Sequence, residues 1–290
     1  MPSATRPPFI AALPHNALIA MTGDDATGFL HGQFTNDVEA LPMGGSQWNG
    51  WCSAKGRLLA TFLLMRRADG YLLMLPAEIA PAIAKRLGMF VLRSKVKIAD
   101  VTAAHALFGV VGREALDGVG ALPGVETWSI DDRWVLTAPA GAQVPTTGDE
   151  SAWGRALVEA GIVTIVAATQ DLFVPQMANF ELVGGVNFRK GCYPGQEIVA
   201  RTQYRGILKR RMALAVAPAG TSPQPGQPVY GMAFGEQAAG AIANVAPGDD
   251  GTQVVLVVAQ LDSLQAGDLR LGAPDGPALA IVSHPAAAAA

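Results

Sequence analysis

The sequence predicts an α+β fold, and three observations carry that reading. Strand-like and helix-like patterns follow one another irregularly instead of in repeated strand–helix units. Hairpin signals recur, and after Arg211 the pattern turns almost wholly strand-like. A chain of 290 residues exceeds the usual size of one domain, so two or three packed units are expected. Half of the residues are hydrophobic and 16% are charged, which excludes a disordered chain.

The elements can be justified in order. Asp24 or Asp25 can cap a short helix whose apolar face is Ala26, Phe29, Leu30 and Phe34. Trp48–Cys52, the turn Ser53-Ala54-Lys55-Gly56 and the run Leu58–Met65 read as a β-hairpin. Asp69-Gly70 marks a second turn that leads into strand Tyr71–Leu75. Pro76 opens a helical stretch, Ala77–Phe90, with Ile79, Ile83, Leu87 and Phe90 at helical spacing. Short strands are expected around Val96–Ile98, Ala106–Val111 and Trp134–Thr137. Asp149 and Glu150 precede a helix through Ala160 that Gly161 ends. Met212–Ala217 and Val254–Val258 are strand patterns in a tail, 207–285, that reads as a small all-β unit, a barrel or sandwich.

Composition also bounds the function. Two cysteines, Cys52 and Cys192, cannot build a disulfide framework, which points to a reducing, cytoplasmic setting. The early apolar stretch Phe9–Met21 is interrupted by Pro14, His15 and Asn16 and does not read as an export signal. No apolar run approaches the ~20 residues of a membrane helix, so no membrane partner is expected. The net charge of −3 hides an asymmetry. Between Arg189 and Arg211 lie seven basic residues and one acid, Glu197, a run that reads as a solvated face or as a positive patch beside a cleft. Only Tyr193 and Tyr204 interleave as aromatics there, so no direct nucleic-acid binding is expected.

The segment richest in chemistry is Lys190-Gly191-Cys192-Tyr193-Pro194-Gly195-Gln196-Glu197, followed by helix-forming residues to Arg201. A cysteine just before a helix start, beside Arg189 and Lys190, sits in a positive field that favours thiolate over thiol. It reads either as a reactive thiol or as a buried small hydrophobe. Cys52, in an apolar strand, reads as packing. Two cysteines fall short of the four thiolates usual for an iron–sulfur cluster, and the four histidines show no metal-ligand spacing. No Walker phosphate loop, dinucleotide glycine pattern or Gly-x-Ser-x-Gly elbow is present.

These residues resemble a known family. Lys190–Glu197 is similar to the signature of the YgfZ-type folate-binding proteins, relatives of the aminomethyltransferase (T-protein) of the glycine cleavage system. Phe29–Val38 resembles the family's early helix and loop, which contributes Asn36 and Asp37. Cys52-Ser53-Ala54-Lys55-Gly56-Arg57 resembles its Cys-Asp-Ala-Lys-Gly-Lys hairpin, with Ser53 in place of the Asp. Val174-Pro175-Gln176 through Asn179, and Gly184-Gly185 to Arg201, resemble the approach to the signature and the exit from it. The resemblance covers nearly the whole chain.

The resemblance implies a ring of two α+β subdomains around a central cavity plus a C-terminal β-barrel. Residues 1–206 would form the folate-binding region and 207–290 the barrel. It implies tetrahydrofolate or a derivative as cofactor, and iron–sulfur client or assembly proteins as partners, including enzymes that modify transfer RNA. Cys192 and Lys190 are then the expected reactive pair. Glu159 resembles the carboxylate that holds the pteridine, where one carboxylate accepts two adjacent N–H groups in a fork. Asn36, Asp37, Tyr193, Arg201 and Arg205 complete the expected folate site, the arginines suiting an anionic glutamate tail. The alternative is an aminomethyltransferase-like one-carbon enzyme. Against it, the positions of that enzyme's adjacent aspartates fall on Leu59 and Ala60, and no acid occurs between Trp51 and Ala68. Fold and reaction can part company in this way.

Overall fold

The computed structural model describes residues 7–117, 119–204, 206 and 208–283. Its principal elements, in chain order, begin with β1 (Phe9–Ala12), β2 (Asn16–Thr22), α1 (Ala26–Gln33), β3 (Ser46–Cys52), β4 (Leu58–Arg67) and β5 (Gly70–Pro76). Next come α2 (Ala80–Val91), β6 (Lys97–Asp100), β7 (His105–Val111), β8 (Glu126–Ile130), β9 (Arg133–Pro139) and α3 (Glu150–Glu159). The chain continues through α4 (Gln196–Tyr204), β10 (Arg210–Ala217), β11 (Pro228–Tyr230), β12 (Ala238–Pro247), β13 (Gln253–Gln260), α5 (Leu261–Ala266), β14 (Arg270–Leu271) and β15 (Ala280–Ser283). The mixture of helices with antiparallel strands is the α+β arrangement expected.

Two compact units divide the chain, each assembled from separated segments. The first takes 7–29, 39–47 and 63–153. Here β6, β2, β5 and the second half of β4 pair antiparallel, with Ile19 opposite Leu73 and Leu63 opposite Met74. Leu18, Ile19, Met21, Leu63, Leu64, Leu72 and Leu73 are buried, a near-continuous apolar run typical of strands covered on both faces. A second sheet of the unit runs β1-β7-β9-β8. Gly109 of β7 lies under the buried Trp153 ring, and a Cβ there would come within 2.4 Å of it. Of the residues that interrupt the apolar stretch, Pro14 and His15 form the corner between β1 and β2, and Asn16 opens β2.

Helix α2 departs from its expected form at both ends. It starts at Ala80, with Pro81 in the first turn, where the missing N–H costs no hydrogen bond. Ala80, Ile83 and Leu87 are buried, as their spacing predicts, but Phe90 is exposed. Helical spacing put Phe90 on the core stripe; in the structure the apolar stripe ends a turn earlier.

The second unit takes 30–38, 48–62 and the described residues from 154 onward. Its C-terminal strands form one antiparallel sheet in the order β14-β11-β12-β13-β10-β15. Register shifts at Leu214/Ala215, Val229/Tyr230 and Ile242/Asn244 bend these strands and increase their twist. Ala213, Ala215, Val229, Ile242, Val255, Val257 and Leu264 fill the core beneath. Buried Asn244, beside one shift, accepts from the Thr164 N–H at 2.9 Å and donates to the Thr164 carbonyl at 2.7 Å. One polar side chain thus fixes the course of the segment that follows α3.

Helix α3 begins at the acidic pair that the sequence places before a helix, and Asp149 caps it. Asp149 Oδ1 accepts from the Ser151 hydroxyl at 2.6 Å and from the Ala152 N–H at 2.9 Å, and these bonds, Ser151 first, hold its carboxyl below the usual range. Gly161 ends the helical segment at φ 70°. No helix among the described residues is long and apolar enough to cross a membrane.

Candidate functional site

The second unit folds the three separated stretches singled out in the sequence onto one another. Thr35 is fully buried and links two of them. Its hydroxyl donates to the Gly185 carbonyl at 2.6 Å and accepts from the Gly50 N–H at 2.8 Å. Its backbone carbonyl takes the Asn187 N–H at 2.9 Å. Asn36 repeats the pattern one residue on. Its amide donates to the Trp48 and Gly184 carbonyls at 2.9 and 2.7 Å, and its Oδ1 accepts from the Asp37 N–H. The Asn36 side chain therefore clamps the loop that presents Asp37. Asp37 Oδ1 in turn lies 3.3 Å from His31 Nδ1.

The hairpin turn meets the signature through two glycines. Gly195 has φ 78°, and a Cβ there would lie 2.4 Å from the Ser53 carbonyl oxygen. Only glycine allows this close approach of two backbones. Gly56, opposite, lies against Gly195 and Ile198 at the start of α4. The turn is braced by Ser53 Oγ donating to Asp171 at 2.7 Å and by Arg57 donating to the Leu172 carbonyl at 2.6 Å. Gln176, buried, donates to the Val199 carbonyl at 2.7 Å and ties down α4.

Within the signature the side chains divide sharply. Lys190 is buried, and its ammonium donates to the carbonyls of His31 and Phe34 at the C-terminal end of α1. Those are helix-end acceptors that otherwise lack partners, and a cation suits them. Its Nζ also sits 4.9 Å from the centroid of the Tyr193 ring. Tyr193 is buried, and burial together with nearby Cys52 pushes its phenol well above the ordinary range. Cys52 is buried as its strand position predicts, and burial raises its thiol strongly. Cys192, by contrast, is exposed, and both cysteines are free thiols. Gly191 packs against the His31 ring, where a Cβ would lie 3.4 Å from Nε2.

The basic run Arg189–Arg211 is not the uniform patch its composition suggests. Lys190 is turned inward, as is Arg211, which donates to the Gln176 carbonyl at 2.9 Å, to Asn179 Oδ1 at 3.2 Å and to Glu181. Burial pushes the Glu181 carboxyl up, and the Arg211 contact only partly offsets it. Arg189, Arg201 and Lys209 remain exposed. Arg205 lies outside the described residues.

Glu159 belongs to a different network of the same unit. Its Oε1 accepts from Arg155 Nε at 2.9 Å, while Arg155 grips Asp249 with two nitrogens at 2.7 and 2.9 Å. Asp249 holds the guanidinium pKa above its ordinary value. Sequence reading supplied Glu159 but not the arginine that orients it. The spacing of four along α3 was the available signal.

Three polar atoms near Asn36 are buried without a protein hydrogen-bond partner: Gln33 Oε1, Trp48 Nε1 and Asn49 Nδ2. Buried polar groups normally find partners, and these three find none within the protein. No cluster of three or more His, Cys, Asp or Glu side chains suited to a metal occurs among the described residues.

No protein-family model matches the chain. It is 31% identical over 291 aligned positions to the "tRNA-modifying protein YgfZ" of Serratia proteamaculans, covering 90% of this chain and 88% of that one. The protein of the same description from Vibrio vulnificus (strain CMCP6) is 32% identical, over 72% of this chain and 71% of its own. Among solved structures, the glycine cleavage system aminomethyltransferase T from Bartonella henselae superposes with a TM-score of 0.71, covering 97% of this chain and 86% of that one. Sequence identity there is 16%, so that similarity is one of fold.

Proposed function

Because the chain belongs to the family of the tRNA-modifying protein YgfZ, we propose that it is an accessory protein of tRNA modification. On this reading it binds tetrahydrofolate or a derivative and assists the assembly or repair of iron–sulfur proteins, tRNA-modifying enzymes among them, in the cytoplasm. The observation that carries the reading is the 31% identity over nine-tenths of the chain. With it come the family's three-part ring, with 1–206 as the folate-binding region, and closure of the C-terminal sheet (207–290) into a barrel.

The residues suit folate in kind. Glu159, oriented by Arg155, offers a carboxylate to the adjacent N–H groups of a pterin. The unpartnered atoms of Gln33, Trp48 and Asn49 include an acceptor and two donors, the kinds of group a pterin ring can satisfy. Asn36 holds its loop so that Asp37 and Tyr193 line the site, and Arg201 and Arg205 meet the anionic tail. Folate supplies a one-carbon carrier; the chain binds and orients it. The aminomethyl transfer of the structural relative is not part of this reading. Leu59 and Ala60 are buried in β4 where that chemistry needs carboxylates.

Cys192 is the group offered to the client. An exposed thiol on a loop anchored by Lys190 can reach iron or sulfur on another protein, whereas Cys52 cannot. Lys190 acts here as a positioning residue, since its ammonium is bonded to α1. With two cysteines in the chain, the cluster itself belongs to the client.

Two measurements test the proposal. Tetrahydrofolate should quench tryptophan fluorescence saturably, and Glu159→Gln should weaken binding about tenfold, one hydrogen-bonded carboxylate's worth. In cells lacking their own copy, the Cys192→Ser chain should bind folate normally yet fail to restore the nucleosides made by iron–sulfur tRNA-modifying enzymes. Full restoration would remove Cys192 from the mechanism, and absence of saturable folate binding would overturn the cofactor.

A further inference from the structure

Helix α2 ends in a segment that the proposed function leaves unused. Met89, Phe90 and Leu92 are 64%, 43% and 88% exposed, three large apolar side chains within four positions. The chain turns there: the Ser94 N–H donates to the Val91 carbonyl at 2.8 Å, with Leu92 at φ 46° and ψ −105°. That is the first central corner of a type II′ turn, a place for glycine. A leucine there bears backbone strain and gains little burial. Such strain concentrates at binding and switching sites.

The turn borders an open hollow of about 740 Å³ lined by Asp25, Phe90, Val91, Leu92, Arg93 and Ser94. Asp25 lines the hollow itself, but the segment that carries the turn is one-sided in charge. Residues 80–98 contain Lys85, Arg86, Arg93, Lys95 and Lys97 and no acid, and all five cations are exposed. Lys95 pairs with Asp24 at 3.3 Å. An apolar hollow with a charged rim is the anatomy of a protein–protein contact.

We propose that this tip of the first unit docks a carboxylate-rich segment of a partner protein. The segment places an apolar side chain against Leu92 and Phe90 and sets Asp or Glu against Lys85, Arg93 and Lys97. Nucleic acid fits less well, since Phe90 is the one aromatic residue in 80–98.

The test uses the full chain and a random peptide library of about 16 residues, long enough for a helix or strand to lie in a groove. Selected peptides are synthesised and titrated against wild type, Leu92→Gly and Arg93→Glu/Lys97→Glu. Peptides that pair a large apolar residue with Asp or Glu are expected to dominate. Both variants should weaken them about tenfold or more, and added salt should weaken them further. Glycine relaxes the turn, so Leu92→Gly should melt no lower than wild type. If that variant melts lower, Arg93→Glu/Lys97→Glu alone decides. Selected peptides that lack acids, or that bind the deciding variants like wild type, overturn the proposal. So does a loss confined to tRNA or to phosphatidylglycerol vesicles, with peptide binding untouched.

Discussion

The basic runs Arg189–Arg211 and Lys85–Lys97 look alike as strings of letters, each dense in Lys and Arg and poor in acid. In the structure they part. Lys190 and Arg211 turn inward and are saturated by carbonyls at the end of α1, by Gln176, Asn179 and Glu181. Lys85, Arg93 and Lys97 stay exposed to water, in the segment that also carries exposed Leu92. What separates them is the supply of acceptors. A cation goes inside where backbone carbonyls or a carboxylate would otherwise be orphaned, and stays out where none wait. The first kind holds a loop in place, and the second kind is available to a partner.

The largest effect should come from Arg211. Arg211→Met leaves the buried Glu181 carboxylate without its counter-charge and should cost about 3–5 kcal/mol in denaturant unfolding. Lys190→Met follows, removing a charged donor from two α1 carbonyls for about 2–3 kcal/mol. Replacing Lys85, Arg93 or Lys97 by Gln should each change stability by less than about 0.5 kcal/mol. Equal losses in the two runs would erase the distinction between inward and outward cations.

How far the sequence foretold this depends on the range of the interaction involved. The hairpin Trp48–Met65, the acidic helix start at Asp149 and Glu150, the stop at Gly161 and the helix after Gly195 are set by neighbours a few positions away, and each is legible. Lys190 was read as part of a positive patch because its acceptors, His31 and Phe34, lie more than 150 positions earlier. Arg155, which fixes Glu159, was hidden because half its role depends on Asp249, 94 positions on. Phe90 fits the helical period yet is exposed while Leu87 is buried, so the core ends before the helix does. β8 escaped because Glu126–Ile130 alternates weakly, and its place comes from pairing with β9.

A smaller change of opposite sign should come from the outward run. Leu92→Gly removes a strained corner and should raise stability by about 1 kcal/mol or less, partly offset by the added freedom of the unfolded chain. A loss instead would mean that Leu92 supports the fold, and the contrast with Lys190 would shrink.

The finest test is a pH slope at the Arg211–Glu181 pair. Burial raises the Glu181 carboxyl and Arg211 lowers it, with burial the larger. A carboxyl whose folded pKa exceeds its unfolded one stabilises the fold fully below the unfolded value. That contribution is lost as pH rises through the folded value. Relative to Glu181→Gln, the wild-type chain should therefore lose stability as pH climbs from about 4.5, then level off. Melting both proteins across that window at fixed salt gives the difference directly. A rise in place of the fall would mean that the guanidinium outweighs desolvation at this site. The inward cation would then be a net source of stability rather than a partial remedy for a buried acid.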